Sequence, residues 1–140
     1  ARSAHETRIS RSVLVGFTPV QMFALVADVE SYPRRFNWCE SAQVVERQDS
    51  EVRAALSVRV LGVAVSFVTR NIESPPHTIV LQLDQGPFRD LQGAWQFKPI
   101  GVGGCRVSLD LRFEMTRGLV ASAAAAAFAH VADRMVDDFA

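Results

Sequence analysis

The stretch GLVASAAAAAFAHVADRMVDDFA, from Gly118 to Ala140, decides how the rest of the chain is read. At about 100° per residue, Val120, Ala124, Phe128, Val131, Met135 and Phe139 fall in one apolar stripe, with His130, Asp133, Arg134 and Asp137 opposite. The spacing predicts a long amphipathic helix. No breaker follows Gly118, and the alanines at 123–127, Ala129 and Ala132 have high helix propensity. The first half of the stripe is almost all methyl groups; bulk returns at Phe128, Met135 and Phe139. Against a concave sheet, such a face either approaches very closely or leaves room beneath it. Close approach is ordinary packing, and room is a pocket.

Upstream, Glu6 to Phe17 alternates around Ile9, Val13, Val15 and Phe17, which predicts a first strand with Arg11 as its awkward inward member. Thr18-Pro19-Val20-Gln21 then supplies an N-cap, a proline at the first helical position and a glutamine that completes a capping box. The helix carries Met22, Phe23, Val26 and Val29 inward and should stop near Ser31, before Pro33. Tyr32 to Cys39 reads as a second short helical turn and loop. From there the period is two. Ala42 to Arg47 predicts a weak strand; Val52, Ala54, Leu56, Val58 and Val60 mark a clear one. Val63 to Ile72 follows the Gly62 turn, with Val65, Phe67 and Thr69 inward. Pro75-Pro76 ends it. Ile79, Leu81 and Leu83, then Leu91, Gly93, Trp95 and Phe97, then Cys105 to Met115 give three more alternating runs. Short turns between them imply antiparallel neighbours with one dry face and one wet face. The fold class is α+β: a curved antiparallel sheet of about seven strands around a long C-terminal helix, with two short helices after the first strand.

The 140 residues are a natural length for one domain spanning 1–140, and 49% are hydrophobic, which argues against disorder. Fifteen basic and fifteen acidic side chains cancel, which removes the bulk attraction to nucleic acid and makes DNA an unexpected partner. Cys39 and Cys105 stand far apart without a CxxC pattern, so neither a metal knuckle nor a redox pair is expected, and a reducing cytoplasm is. No run reaches the roughly 18 apolar residues of a membrane span. The N-terminal residues lack an apolar signal core.

Chemistry on the dry face looks sparse. Arg11, Thr69 and Asn71 are the polar side chains that alternation turns inward, and they include no carboxylate or imidazole to serve as general base. His5, His77 and His130 fall at solvated positions. No cluster has metal-ligand spacing, so neither catalysis nor a metal or other cofactor is expected. Cys39 reads as a small buried hydrophobe. A binding module asks for less: an apolar pocket, typically roughly 300 to 1,000 Å³, with a few placed polar groups. The candidate lining is Val58, Phe67, Leu81, Trp95, Phe97, Leu109, Leu111 and Phe113 facing Ala124 and Phe128, with Phe36 and Trp38 closing one end. Each alone is an ordinary core residue. Together, opposite a small helix face, they surround volume that needs an occupant.

Several strings, in this order, resemble the START-like (SRPBCC, helix-grip) superfamily. They are Asp28-Val29-Glu30-Ser31-Tyr32-Pro33, Phe36-Asn37-Trp38-Cys39, Thr69-Arg70-Asn71, the run from Gly86 to Phe97, and Phe128 with Met135-Val136-Asp137 to Phe139. Within it they resemble the branch of the ribosome-association toxin RatA and the coenzyme-Q-binding, polyketide cyclase-like proteins. Asn37 stands where that branch usually has proline, and family members commonly continue the last helix past the position of Ala140. The resemblance implies a helix-grip fold with a cavity for an isoprenoid quinone or other lipid between sheet and terminal helix, supporting respiratory quinone function. It also implies an alternative role, binding the large ribosomal subunit and hindering subunit association. The carrier reading makes Tyr32 to Cys39 a candidate lid. Arg34 and Arg35 on it offer a weak anchor for transient contact at the inner membrane.

Overall fold

A computed structural model describes residues 6–116 and 121–139. Seven strands, β1 (Thr7–Val15), β2 (Cys39–Gln48), β3 (Glu51–Val60), β4 (Val63–Ser74), β5 (Thr78–Gln85), β6 (Phe88–Ile100) and β7 (Gly104–Met115), form one antiparallel sheet in the order β1-β7-β6-β5-β4-β3-β2. The chain leaves β1 through α1 (Pro19–Ala27), a 3-10 turn (Val29–Ser31) and α2 (Tyr32–Arg35), then crosses to the far edge at β2. It returns strand by strand until β7 pairs with β1. The last helix, α3 (Ala121–Phe139), packs on the sheet, touching β1, β3, β4 and β7. This is the expected α+β helix-grip architecture.

Local sequence explains the elements. Thr18 accepts a hydrogen bond from the Gln21 backbone N–H at 3.2 Å, and the Gln21 side chain accepts from the Thr18 N–H at 2.8 Å. This capping box fixes the start of α1 and is worth on the order of 1 kcal/mol. In β3 and β7, Val52, Ala54, Leu56 and Val58, and then Cys105 through Met115 by twos, are all buried on the concave face. In register, Asn71, Leu81, Gly93, Leu111 and Ile9 stand side by side across β4, β5, β6, β7 and β1.

The structure departs from the sequence expectations at element ends. β1 stops at Val15, so Phe17 lies in the turn and is 53% exposed instead of inward. β4 continues two residues past Ile72 to Ser74, which turns Glu73 onto the same face as Thr69 and Asn71. Tyr32–Arg35 forms the expected short helical turn and Asn37 and Trp38 the loop after it, but Cys39 already opens β2. On α3 the buried stripe is wider than expected: Ala127, Ala132 and Val136 are buried, while Met135 is only half-buried. A helix held in the hollow of a curved sheet is covered on its flanks as well as its front. Val120 and His5 lie outside the described residues.

Arg11 finds its reason here. It sits on the edge strand where the concave face meets the polar flank of α3, and its guanidinium donates to Asp133 at 2.8 Å and Asp137 at 2.7 Å. Those two hydrogen bonds, Asp133 foremost, raise its affinity for the proton further.

Candidate functional site

Two groups of aromatic rings bracket the interior. Under the first half of α3, Phe128 meets Phe67, Phe88 and Phe113 edge-on, with ring centres 5.3, 4.9 and 4.7 Å away. Near its end, Phe139 meets Tyr32, Phe36 and Trp95 at 5.3, 4.8 and 5.5 Å, and Phe36 stacks on Trp38 at 4.9 Å. Edge-to-face pairs of this kind contribute about 0.5 to 1.5 kcal/mol each beyond area burial. Each group is therefore a firm plug.

Between the plugs lies a cavity of about 80 Å³. Its roof is the middle of α3, at Phe128, Val131, Ala132 and Met135. Its floor is the concave face, and Val26, Ala27, Val29 and Tyr32 bound it at the end of α1 and just beyond. The room is therefore not under the run of alanines. There Phe67, Phe88 and Phe113 fill the space the methyl groups leave, and Ala124 is buried without reaching the cavity wall. Of the side chains expected around a pocket, the structure brings Val58, Phe67, Leu81, Trp95, Leu109, Leu111 and Phe128 together on its wall. It places Phe36, Trp38, Phe97, Phe113 and Ala124 in the surrounding core, all buried. Sequence reasoning did not find the α1 contribution or Ile79, Leu91, Val131, Ala132 and Met135 as wall residues. The helical period did put Val131 and Met135 in the inward stripe, though not on a pocket wall.

The wall is apolar except along β4. Thr69, Asn71 and Glu73, spaced by two, all line it. The Thr69 hydroxyl donates to Asn71 Oδ1 at 2.7 Å, and both residues are buried. Glu73 was missed because Pro75-Pro76 suggested an earlier strand end. Its Oε1 accepts from Arg47 at 3.2 Å. Tyr32, also on the wall, donates its hydroxyl to the Val26 carbonyl, and burial holds that hydroxyl in its neutral form far above the usual phenol range. Burial likewise pushes the Cys39 thiol up to about 11, and Cys105 upward too, so neither is an activated nucleophile. His77 and His130 are exposed and off the wall. Among the described residues no group of His, Cys, Asp and Glu could hold a metal ion, and no helix is long and apolar enough to cross a membrane.

Residues 15–140 match the family described as polyketide cyclase / dehydrase and lipid transport. The chain is 39% identical over 133 residues to the ribosome association toxin RatA of Pseudomonas aeruginosa, covering 95% of this chain and 92% of that protein. It is 30% identical over 135 residues to the mitochondrial coenzyme Q-binding protein COQ10 homolog B of Xenopus laevis, covering 93% of this chain but 55% of that one. Its fold superposes on the Zhui aromatase/cyclase from Streptomyces sp. R1128 with a TM-score of 0.82 at 18% identity, over 96% and 92% of the two chains.

Proposed function

Because the chain belongs to the polyketide cyclase / dehydrase and lipid transport family, we propose that it is a non-enzymatic binding protein taking a hydrophobic small molecule, an isoprenoid quinone or a similar lipid, between sheet and α3. The observation that carries this is the cavity: free room in the middle of the interior, walled by apolar side chains and carrying one polar row. At about 80 Å³ it is smaller than the ~300 Å³ at which pockets for drug-sized ligands begin. It therefore receives a headgroup, and a tail leaves past the half-buried rim at Ala27, Glu73 and Met135. Met135, unbranched and adaptable, is the rim side chain best suited to yield. Catalysis has little support on this wall, whose carboxylate, Glu73, is paired with Arg47. Organic extraction of the purified protein followed by mass spectrometry tests the reading. A lipid or quinone co-purifying near one per chain is expected; an empty extract together with no uptake on quinone titration overturns it.

A carrier of such a ligand must reach a membrane, and one end of the sheet is suited to that. Leu14, Phe17, Val20, Ile100 and Val102 are exposed around the end of β1 and the β6–β7 turn. Lys98 and Arg106 face each other in register behind them, and Leu14 pairs with Arg106. No acidic residue occurs in 7–27 or 91–109. Apolar tips backed by cations suit an anionic bilayer surface. The protein then works in the cytoplasm and visits the inner membrane, with this tip as a stronger anchor than Arg34 and Arg35.

A second reading, association with the large ribosomal subunit to hinder subunit joining, is favoured by a different observation. The relative named ribosome association toxin is the more similar of the two relatives above, at 39% against 30% identity, and is matched over 92% of its length against 55%. Cosedimentation with large subunits at low and moderate salt tests it: co-pelleting at both is expected, and failure at both removes it.

A further inference from the structure

We infer that Asn71 makes the cavity selective for ligands bearing a carbonyl oxygen, over hydrocarbons of the same shape. The inference rests on the ligand-binding reading and names the chemistry of its ligand. Asn71 is 8% exposed and stands on the wall with Leu81 and Gly93 beside it in register. Its Oδ1 is taken by the Thr69 hydroxyl at 2.7 Å. Among the described residues no acceptor meets its Nδ2, yet no fully sealed side-chain nitrogen or oxygen lacks a partner. The amide N–H therefore keeps an opening, and the cavity it lines is that opening. The Thr69 hydroxyl, by donating to Oδ1, sets the orientation of the amide in which Nδ2, the donor, is the atom left facing the opening.

A donor so placed is costly to leave unmade. A ligand that excludes water without offering an acceptor strands it, and a ligand with a carbonyl satisfies it. The neighbouring wall cannot do this in the ligand's place, since Leu81, Leu111, Trp95 and Val131 offer no acceptor side chain. Glu73 supplies an acceptor at the rim but is held by Arg47. The preferred ligand is thus an apolar ring or chain with a ketone or quinone-type oxygen leading into the cavity.

The experiment uses two isosteric probes, acetophenone and α-methylstyrene, which differ by C=O against C=CH2. Titrations are followed by amide nuclear magnetic resonance on the whole chain. Wild-type protein should bind the ketone about tenfold tighter, the ratio that one net hydrogen bond of ~1.4 kcal/mol supplies. The Asn71 side-chain N–H signals should move downfield with the ketone alone. Asn71→Leu should lose or reverse the preference, and Thr69→Val should weaken it. Equal binding of both probes with the Asn71 signals unmoved overturns this inference while leaving a ligand cavity. Binding of neither probe overturns the cavity reading as well. The wild-type signals alone decide the matter should Asn71→Leu fold poorly.

Discussion

Trp38 Nε1 donates to Asp138 Oδ2 at 2.7 Å, joining the turn into β2 to the last turn of α3 across a hundred residues of sequence. The indole is buried, and the carboxylate keeps 23% of its side-chain surface. A charged acceptor on a buried N–H is among the stronger hydrogen bonds, and its removal strands the donor. Asp138→Ala should lower the unfolding free energy by about 2 kcal/mol. In Trp38→Phe the same change should cost much less. Urea unfolding of the four proteins in the double-mutant cycle measures the difference, and additive costs would show that the bond contributes nothing.

Gly93 explains how Leu111 reaches the cavity. A Cβ built on Gly93 would collide with the Asp110 carbonyl oxygen and lie 2.8 Å from Leu111 Cδ1. The oxygen belongs to the ladder between β6 and β7, which cannot shift without losing register. Gly93→Ala should therefore destabilise by about 1 to 3 kcal/mol, the usual cost of overpacking, although alanine suits a strand better than glycine. Thermal unfolding reads this directly; an unchanged midpoint would mean the strands yield.

The Cys39 thiol gives the protein an alkaline limit. Its ordinary value of 9.0 is pushed up to about 11, chiefly by burial. Below pH 9 both folded and unfolded chains hold the proton. Between 9 and 11 the unfolded chain releases it and the folded chain does not, so stability falls as pH rises through that window. Buried Tyr32 acts in the same direction above pH 10, since its hydroxyl is held neutral in the fold. Urea midpoints at pH 7, 9 and 10 should decline, and less so in Cys39→Ala. A flat profile for wild type would mean the thiol is not sealed from water.

The helix and strands were legible because their buried faces repeat with periods of 3.6 and 2, as Val52 to Val58 and Cys105 to Met115 show. What stayed hidden depends on distances between residues far apart in sequence. Nothing local says that Phe67, Phe88 and Phe113 converge beneath Phe128 and fill the space its alanine neighbours leave. Nor does it say that Ala132, not Ala124, looks onto free room. Glu73 was lost to a two-residue error in a strand end, where a following proline pair outweighed the alternation Thr69, Asn71, Glu73. Arg11 was recognised as anomalous but not explained, since its partners Asp133 and Asp137 lie on another element.

The exposed apolar tip should be a membrane probe with a charge requirement. Val102 stands free at the β6–β7 turn, and Lys98 and Arg106 lie behind it. Wild-type protein should float with vesicles containing phosphatidylglycerol at low salt and not with pure phosphatidylcholine. Val102→Asp with Phe17→Asp should abolish flotation, and Lys98→Glu with Arg106→Glu should reduce it. Equal flotation on neutral vesicles would remove the electrostatic part, and no flotation at all would remove the tip as a membrane site.

Ala132 offers a way to separate the two readings of function. Its methyl group faces the free room from the middle of α3, between Val131 and the adaptable Met135. Ala132→Leu adds three carbons where about 80 Å³ stands open, so the interior fills without the strain that overpacking brings to a solid core. Stability should change by less than about 1.5 kcal/mol, since the new methylenes are buried where space already exists. Ligand occupancy, read by extraction and mass spectrometry, should drop to background. Ribosome cosedimentation, if it depends on the outer surface of the sheet or α3 alone, should survive unchanged. A variant that loses both activities while remaining folded would mean that the bound molecule sets the shape of the ribosome-facing surface. A variant that keeps its ligand would place the true binding site elsewhere.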